Sequence, residues 1–501
     1  MRRGWVRGKR IFLSFSILLA AWMFGEGAFG QTPDTLWTRT FGGTNIDVAY
    51  GVRQTRDGGY VVAGYTRSFG TVSGRNVLLI KTDQSGDEEW LRTFGGNDDE
   101  EGYSVQQTID GGYIIAGYTK SWGAGSNDVL LIKTDTSGNA EWTQTFGGTQ
   151  AEEAYSVWQT YDGGYIVAGA TSSYGAGSRD VWLIKTTSSG TESWRKTLGG
   201  FGSDGARSVE QVSDGGYVVT GWTYSYGPGA VGNVWLVKTD TSGNMAWNRF
   251  FGGTDVDRGY CVQQTTDRGY IVTGYTSSFG SGLDDMVLIK TDSAGNESWT
   301  RTFGGSGRDY GNCVRQTADG GYIIAGYTLS FGAGGDDVWL VRTDANGNQT
   351  WTGTYGGSAS DVAYSLDRTS DGGYIVAGHT LSYGAGVHDV WLVRIAPDPT
   401  DVDEGDPLPQ GYRLAQNYPN PFNPTTSIKF TVPTPSNVRI VVYDLLGREV
   451  RTLVDGHQDV GRGLTVWDGR DNAGTVVTSG LYLCRMMTDG FAQSIRVVFL
   501  K

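Results

Sequence analysis

One unit of roughly 52 residues recurs seven times between residues 35 and 395, and a period of that length confines the chain to a solenoid, a propeller or an array. Trp37, Trp90, Trp142, Trp194, Trp247, Trp299 and Trp351 follow one another at steps of 52 or 53 residues. The turn Asp57-Gly58-Gly59-Tyr60 returns with the same rhythm at Asp110, Asp162, Asp214, Asp267, Asp319 and Asp371. In the second unit, residues 103–108, 112–119, 128–134 and 140–146 are short runs rich in β-branched and aromatic residues, each bounded by turn chemistry. Asp110-Gly111 predicts a type I′ hairpin, and Gly138-Asn139 closes a second turn. No sustained 3.6-residue apolar period occurs outside the N-terminus. Four antiparallel strands per unit in seven units predict an all-β, seven-bladed β-propeller.

The phase of the repeat adds a prediction about closure. The array opens with a lone Trp strand, residues 35–41, and ends with three strands at 363–369, 374–380 and 389–395. The opening strand should complete the seventh blade, which leaves no open end strand. A glycine recurs inside the second strand of every unit (Gly64, Gly117, Gly169, Gly221, Gly274, Gly326, Gly378) and predicts close face-to-face packing of neighbouring blades. The repeated Trp predicts inter-blade core.

Residues 1–30 combine a basic start (Arg2, Arg3, Arg7, Lys9, Arg10), an apolar stretch at 11–24 and small residues at Ala28-Phe29-Gly30, the pattern of a signal peptide. The chain carries a net charge of −13, and loss of that segment would make it more acidic still. That balance argues against nucleic acid and anionic membrane surfaces as partners, and no span is expected in the mature chain. Three cysteines exclude a disulfide framework. Cys261 and Cys313 share one position in adjacent units, where small buried residues or a cross-blade pair are both open readings. After the propeller (31–397) comes an acidic linker (398–408), and residues 409–501 hold enough short strands for a small Ig-like sandwich.

The stretch Asn417-Tyr418-Pro419-Asn420-Pro421-Phe422-Asn423-Pro424, the Gly447 turn and the closing run to Lys501 resemble the C-terminal sorting domain of type IX secretion cargo. The run from Trp467 to Gly474 is similar to the Ig-like domain of flagellar hook-capping proteins. The resemblance implies export, a secretion translocon as partner, and a cell-surface or extracellular destination. The repeat region resembles secreted bacterial propellers, some loosely labelled endoglucanase. Its Asp135-to-Trp142 hairpin is similar to blades of quinoprotein dehydrogenases but lacks their vicinal cysteine pair.

Two sevenfold sets should share one face. The first is acidic: Asp47, Glu100, Glu152, Asp204, Asp257, Asp309 and Asp361. These could line the channel mouth and hold Ca²⁺, a cation suited by oxygen ligands, or each could accept hydrogen bonds from its own loop. No other cofactor is expected. The second set is aromatic: Phe69, Trp122, Tyr174, Tyr226, Phe279, Phe331 and Tyr383. Exposed, they could stack on sugar rings; buried, they would plug gaps between blades. Departures from the repeat are free of its folding role, notably Arg67, Arg75, Leu198, Phe201, Arg207, Pro228, His379 and His388. Gly-x-Ser-x-Gly, His-Glu-x-x-His and P-loop signatures are absent. The expected function is an exported binding or scaffold module for an extracellular glycan or surface protein. The alternatives are a polysaccharide hydrolase or lyase using top-face carboxylates, and a structural envelope protein.

Overall fold

A computed structural model describes residues 32–70, 74–228, 231–398, 411–417, 420, 422, 426–458, 461–488 and 490–499. Segment 1–30, expected to be a signal peptide, almost all of the expected acidic linker, and Pro419, Pro421, Asn423, Pro424 and Lys501 lie outside them. The chain divides into two units, residues 1–400 and 401–501.

The first unit contains seven four-stranded antiparallel sheets and no α-helix among its described residues. Each sheet runs in chain order from a first strand such as Glu100–Gln107, through Tyr113–Thr119 and Asp128–Thr134, to a fourth such as Ala140–Phe146. One sheet departs from chain order: Thr35–Phe41 pairs antiparallel with Asp389–Ile395 and completes the sheet of Asp361–Arg368 and Tyr374–Thr380. The opening strand thus stands where its repeat phase predicts. The middle strands are buried on both faces because each sheet is sandwiched between others, whereas fourth strands are mostly exposed or half-buried.

Adjacent sheets are joined by the Trp set. Trp37, Trp90, Trp142, Trp194, Trp247 and Trp299 each meet the tyrosine opening the next sheet's second strand, at centroid distances of 5.7 to 5.9 Å. Such contacts contribute about 0.5–1.5 kcal/mol each beyond burial. First strands also touch: the Ser104 hydroxyl accepts from Val157 N, Ser156 from Val209 N, and Ser365 from Val52 N, the last linking the seventh sheet to the first.

Two local expectations are corrected. The strand glycines relieve crowding inside one sheet, not between sheets. A Cβ on Gly64 would lie 1.8 Å from the carbonyl oxygen of Val48 on the paired strand, beside the bulge between Ala49 and Gly51. The Asp-Gly turn is also not type I′. Thr108 N donates to Gly112 O across three residues, and only Gly111 is left-handed (φ 91°), which is the three-residue loop with a glycine bulge. Arg268 takes that position in the fifth unit at φ 66°.

The second unit has a three-stranded sheet (Arg413–Leu414, Thr426–Val432, Gly461–Trp467) and a four-stranded one (Glu449–Gln458, Ser436–Tyr443, Gly480–Thr488, Phe491–Phe499). Trp467 is wholly buried between Phe422 and Tyr482, at 5.2 and 5.1 Å. Asn420 ties its segment to the last strand, accepting from Val498 N and donating to Arg496 O. Asn417 is buried and bonds Thr426 Oγ1, and Gly447 supplies a left-handed turn after Asp444.

Candidate functional site

The acidic and aromatic sets come together at one end of the seven sheets, where the loop entering each first strand meets the loop between second and third strands. All seven carboxylates are buried at 1% exposure or less. Each accepts from a backbone amide four residues back, at 2.7 to 2.9 Å: Gly43 to Asp47, Gly96 to Glu100, Gly148 to Glu152, Gly200 to Asp204, Gly253 to Asp257, Gly305 to Asp309 and Gly357 to Asp361. Threonine and serine groups of the opposite loop complete the set, as when Thr119 Oγ1 and Ser121 N donate to Glu100. The carboxylates therefore staple two loops together within each sheet. Among the described residues, no three His, Cys, Asp or Glu side chains gather as a metal site would require.

The aromatic set lies outside this layer, with Phe69, Trp122, Tyr174, Tyr226, Phe279, Phe331 and Tyr383 between 36 and 53% exposed. Each is fixed at its backbone: its amide donates to the threonine hydroxyl three residues earlier, at 3.1 to 3.2 Å. Tyr174, Tyr226, Phe331 and Tyr383 also rest on Trp182, Trp235, Trp339 and Trp391, at 5.5 to 5.7 Å. Hydroxyls of Tyr174, Tyr226 and Tyr383 donate to Gly147, Gly199 and Gly356 carbonyls. One face of these four rings is anchored while the rest meets solvent.

Inside this girdle the first strands point side chains at a common centre. The fourth residue of each strand forms a tier of Tyr50, Tyr103, Tyr155, Arg207, Tyr260, Asn312 and Tyr364. Tyr50 meets Tyr103 at 4.8 Å, Tyr103 meets Tyr155 at 5.1 Å, and Arg207 lies 4.0 Å over Tyr155. Burial raises the hydroxyl pKa of Tyr50 and Tyr103, so both stay neutral. Above them, at the girdle end, the seven units differ. Arg75 pairs with Glu101, Arg179 with Glu153 at 2.6 Å, and Asp284 accepts from Tyr310 at 2.6 Å. Arg258 donates to the Tyr224 hydroxyl at 3.3 Å. His379 and His388 stack at 4.6 Å, and burial draws the His379 pKa down to about 4. Arg75, Arg207, His379 and His388, singled out by their departure from the repeat, thus meet at this mouth. Phe201, in the loop entering the first strand of the fourth unit, is 93% exposed.

Two further sets carry charge that the turn and strand patterns did not suggest, one present in all seven units and the other acidic in five of them, with Asn76 and Asn233 in the remaining two. The aspartate of each Asp-Gly turn binds a cation from the third strand of its own sheet, from Lys81–Asp57 at 2.9 Å to Arg394–Asp371 at 2.5 Å. Burial opposes ionisation of Asp110, but the Thr108 hydroxyl, the Lys133 ammonium and the Gly112 amide together hold it below its ordinary range. The signal was a cation inside every apolar third strand. The other set opens those strands: burial pushes the carboxyls of Asp128, Asp180, Asp285 and Asp337 up, and Asp128 accepts from Ala124 N and Gly125 N at 3.0 Å. Cys261 and Cys313 are buried free thiols with Sγ atoms 3.9 Å apart, and Arg315 lies 3.6 Å from Cys261.

Residues 420–490 match the family model of the FlgD Ig-like domain. The regulatory protein FlaEY of Caulobacter vibrioides is 27% identical over 253 residues, 44% of this chain and 26% of that protein. The chain therefore spans about a quarter of the length of that curated relative. Among solved structures, PorZ, a bacterial surface component of the type-IX secretion system of Porphyromonas gingivalis, aligns over 92% of this chain and 60% of its own at 12% identity, with a TM-score of 0.41. Sqt1 from Chaetomium thermophilum aligns over 94% of this chain and 99% of its own at 9% identity, also with a TM-score of 0.41. The chain is thus an all-β protein of repeated four-stranded sheets that ends in an FlgD-like Ig domain.

Proposed function

We propose that this chain is an exported binding module, a seven-bladed propeller closed by its opening strand and followed by an Ig-like domain that serves as a type IX sorting signal. Its ligand is an extracellular glycan, held at the end where the aromatic girdle surrounds the mouth. The observation that carries this reading is the girdle itself: seven half-exposed rings, each fixed at its backbone amide, present apolar faces beside polar groups. The buried carboxylates belong to the loop architecture in this reading, because each already has at least two donors from the loops it joins, Asp257 having Gly253 N and Ser278 Oγ. The test is glycan-array binding by residues 31–397, with and without Ca²⁺, followed by a search for cleavage products. Binding without cleavage supports the reading. Cleavage of a bound polysaccharide would replace it with the hydrolase or lyase alternative. Binding that requires Ca²⁺ would return the acidic set to the ligand site.

A further inference from the structure

The fourth unit breaks the repeat at three neighbouring positions at the mouth. Arg207 stands where five units carry tyrosine, Gly205 where the second and third units carry Glu101 and Glu153, and Trp222 where Tyr65, Tyr118, Tyr275 and Tyr327 stand elsewhere. The consequence is electrostatic. Arg75 and Arg179 are neutralised by Glu101 and Glu153. Arg207 meets no carboxylate among the described residues. Its guanidinium lies among Tyr155, Trp222 and Tyr260, at 4.0, 5.4 and 5.8 Å, and its buried Nε has no acceptor, a feature it shares with Arg75 and Arg179, which differ from it in having an ion pair. Arg258 comes from the next unit and lies 5.2 Å over the same Trp222 ring. Its hydrogen-bond partner is the Tyr224 hydroxyl, and its Nε is likewise unmatched. The nearby carboxylates are already engaged: Glu153 by Arg179 and Tyr155, and Asp284 by Tyr310 and Ser277.

We propose that Arg207 and Arg258 form a subsite for the oxyanion of an acidic saccharide, a carboxylate or sulfate ester carried on a sugar ring. The inference rests on the glycan reading above and names the class of glycan. A buried donor without an acceptor is costly, and a guanidinium presents a planar fork of donors that matches a carboxylate or sulfate. The Trp222 face, wedged against Gly205, holds both guanidinium groups and leaves them without a protein anion. In a chain of net charge −13 this is not general attraction for anions; it is a local exception built at one mouth. The surrounding girdle favours a sugar over an acidic peptide, because pyranose rings need apolar faces next to the charged group.

The test is an array of uronate- and sulfate-bearing oligosaccharides, each beside its methyl-esterified or desulfated counterpart, with a hexaglutamate peptide as a further arm. The wild-type chain should bind at least one charged saccharide tenfold or more tightly than its neutral counterpart. Which member of the array binds separates carboxylate from sulfate. Arg207→Gln and Arg258→Gln should each remove most of that preference, leave binding of the neutral sugar unchanged, and keep the wild-type melting profile. Trp122→Ala, in the girdle, should weaken charged and neutral sugars alike. Equal binding of charged and neutral sugars, or a preference that survives both arginine variants, overturns the subsite and leaves the glycan reading standing. Arginine-dependent capture of hexaglutamate with no saccharide bound overturns both. If only one arginine variant unfolds, the other decides.

Discussion

Tyr50 of the first sheet and Tyr364 of the seventh lie with ring centroids 5.0 Å apart, so two residues from opposite ends of the repeat array are neighbours at its centre. The contact is not isolated. Val52 N donates to Ser365 Oγ and Gln54 N to Asp367, repeating between the last and first sheets the links found between consecutive ones. The seventh sheet takes its fourth strand from the chain's other end, so removal of that strand strikes the same junction.

Deletion of residues 32–41 should therefore lower the melting temperature of the whole first unit by at least about 5 °C, since several kcal/mol of strand pairing and Trp37 packing are lost together. Calorimetry on the truncated chain measures this. An unchanged melt would show that the strand of Thr35–Phe41 contributes nothing to the ring.

Asp162→Asn should destabilise by about 2 kcal/mol. The substitution leaves the Lys185 ammonium buried with only neutral partners, including the Thr186 carbonyl, and the loss is smaller than for a fully buried pair because the carboxylate is more than half exposed. Asp162 has a folded pKa below its ordinary value, so its contribution is complete above about pH 3.9 and fades as pH falls through the folded value. The difference between the denaturant melts of the two proteins should begin to shrink below about pH 3.9 and close as pH falls through the folded value. A difference that persists unchanged into strong acid would show that the ion pair is not its source.

His379 carries the opposite chemistry. Its folded pKa of about 4 lies below the ordinary 6.5 because burial disfavours the imidazolium, with His388 adding to the effect. The unfolded chain takes up the proton first, so stability present above pH 6.5 is lost as pH falls towards 4. The loss amounts to about 3 kcal/mol. His379→Tyr, the residue most units carry there, should flatten the pH dependence of melting over that interval. An identical slope in the variant would assign it to other groups.

Arg268→Gly should stabilise by about 0.5–1 kcal/mol. Arg268 sits at φ 66°, a conformation that costs an L-residue about 1–2 kcal/mol, partly offset by the greater unfolded freedom of glycine. Equilibrium unfolding decides, and a less stable variant would mean that the Arg268 side chain makes a contact worth more than the strain.

Much of the fold was legible because a repeat states its own period. The Trp and Asp-Gly spacings count the units, the two-residue alternation marks strands, and the unmatched strand at 35–41 predicts its partner at 389–395. The aromatic girdle was legible as a set, but its exposure was not, since Phe69 and its equivalents occupy loops whose packing the local pattern leaves open. The roles of Asp57 and Lys81 were legible only in pieces: a turn residue and a cation inside an apolar strand, joined when the sheet brings them 2.9 Å apart.

The amino-acid sequence by itself determined the number of units, their strands, the opening strand that completes the last sheet, and the FlgD-like character of the C-terminal segment. These depend on periodicity and short-range turn chemistry. Tertiary structure decided which charges are neutralised. Arg179 finds Glu153 across a sheet and Arg207 finds only aromatic faces, although both stand in a chain with an excess of carboxylates. The physical reason is that ion pairing and burial depend on distances of a few ångströms between residues far apart in the chain, which spacing along the sequence does not encode.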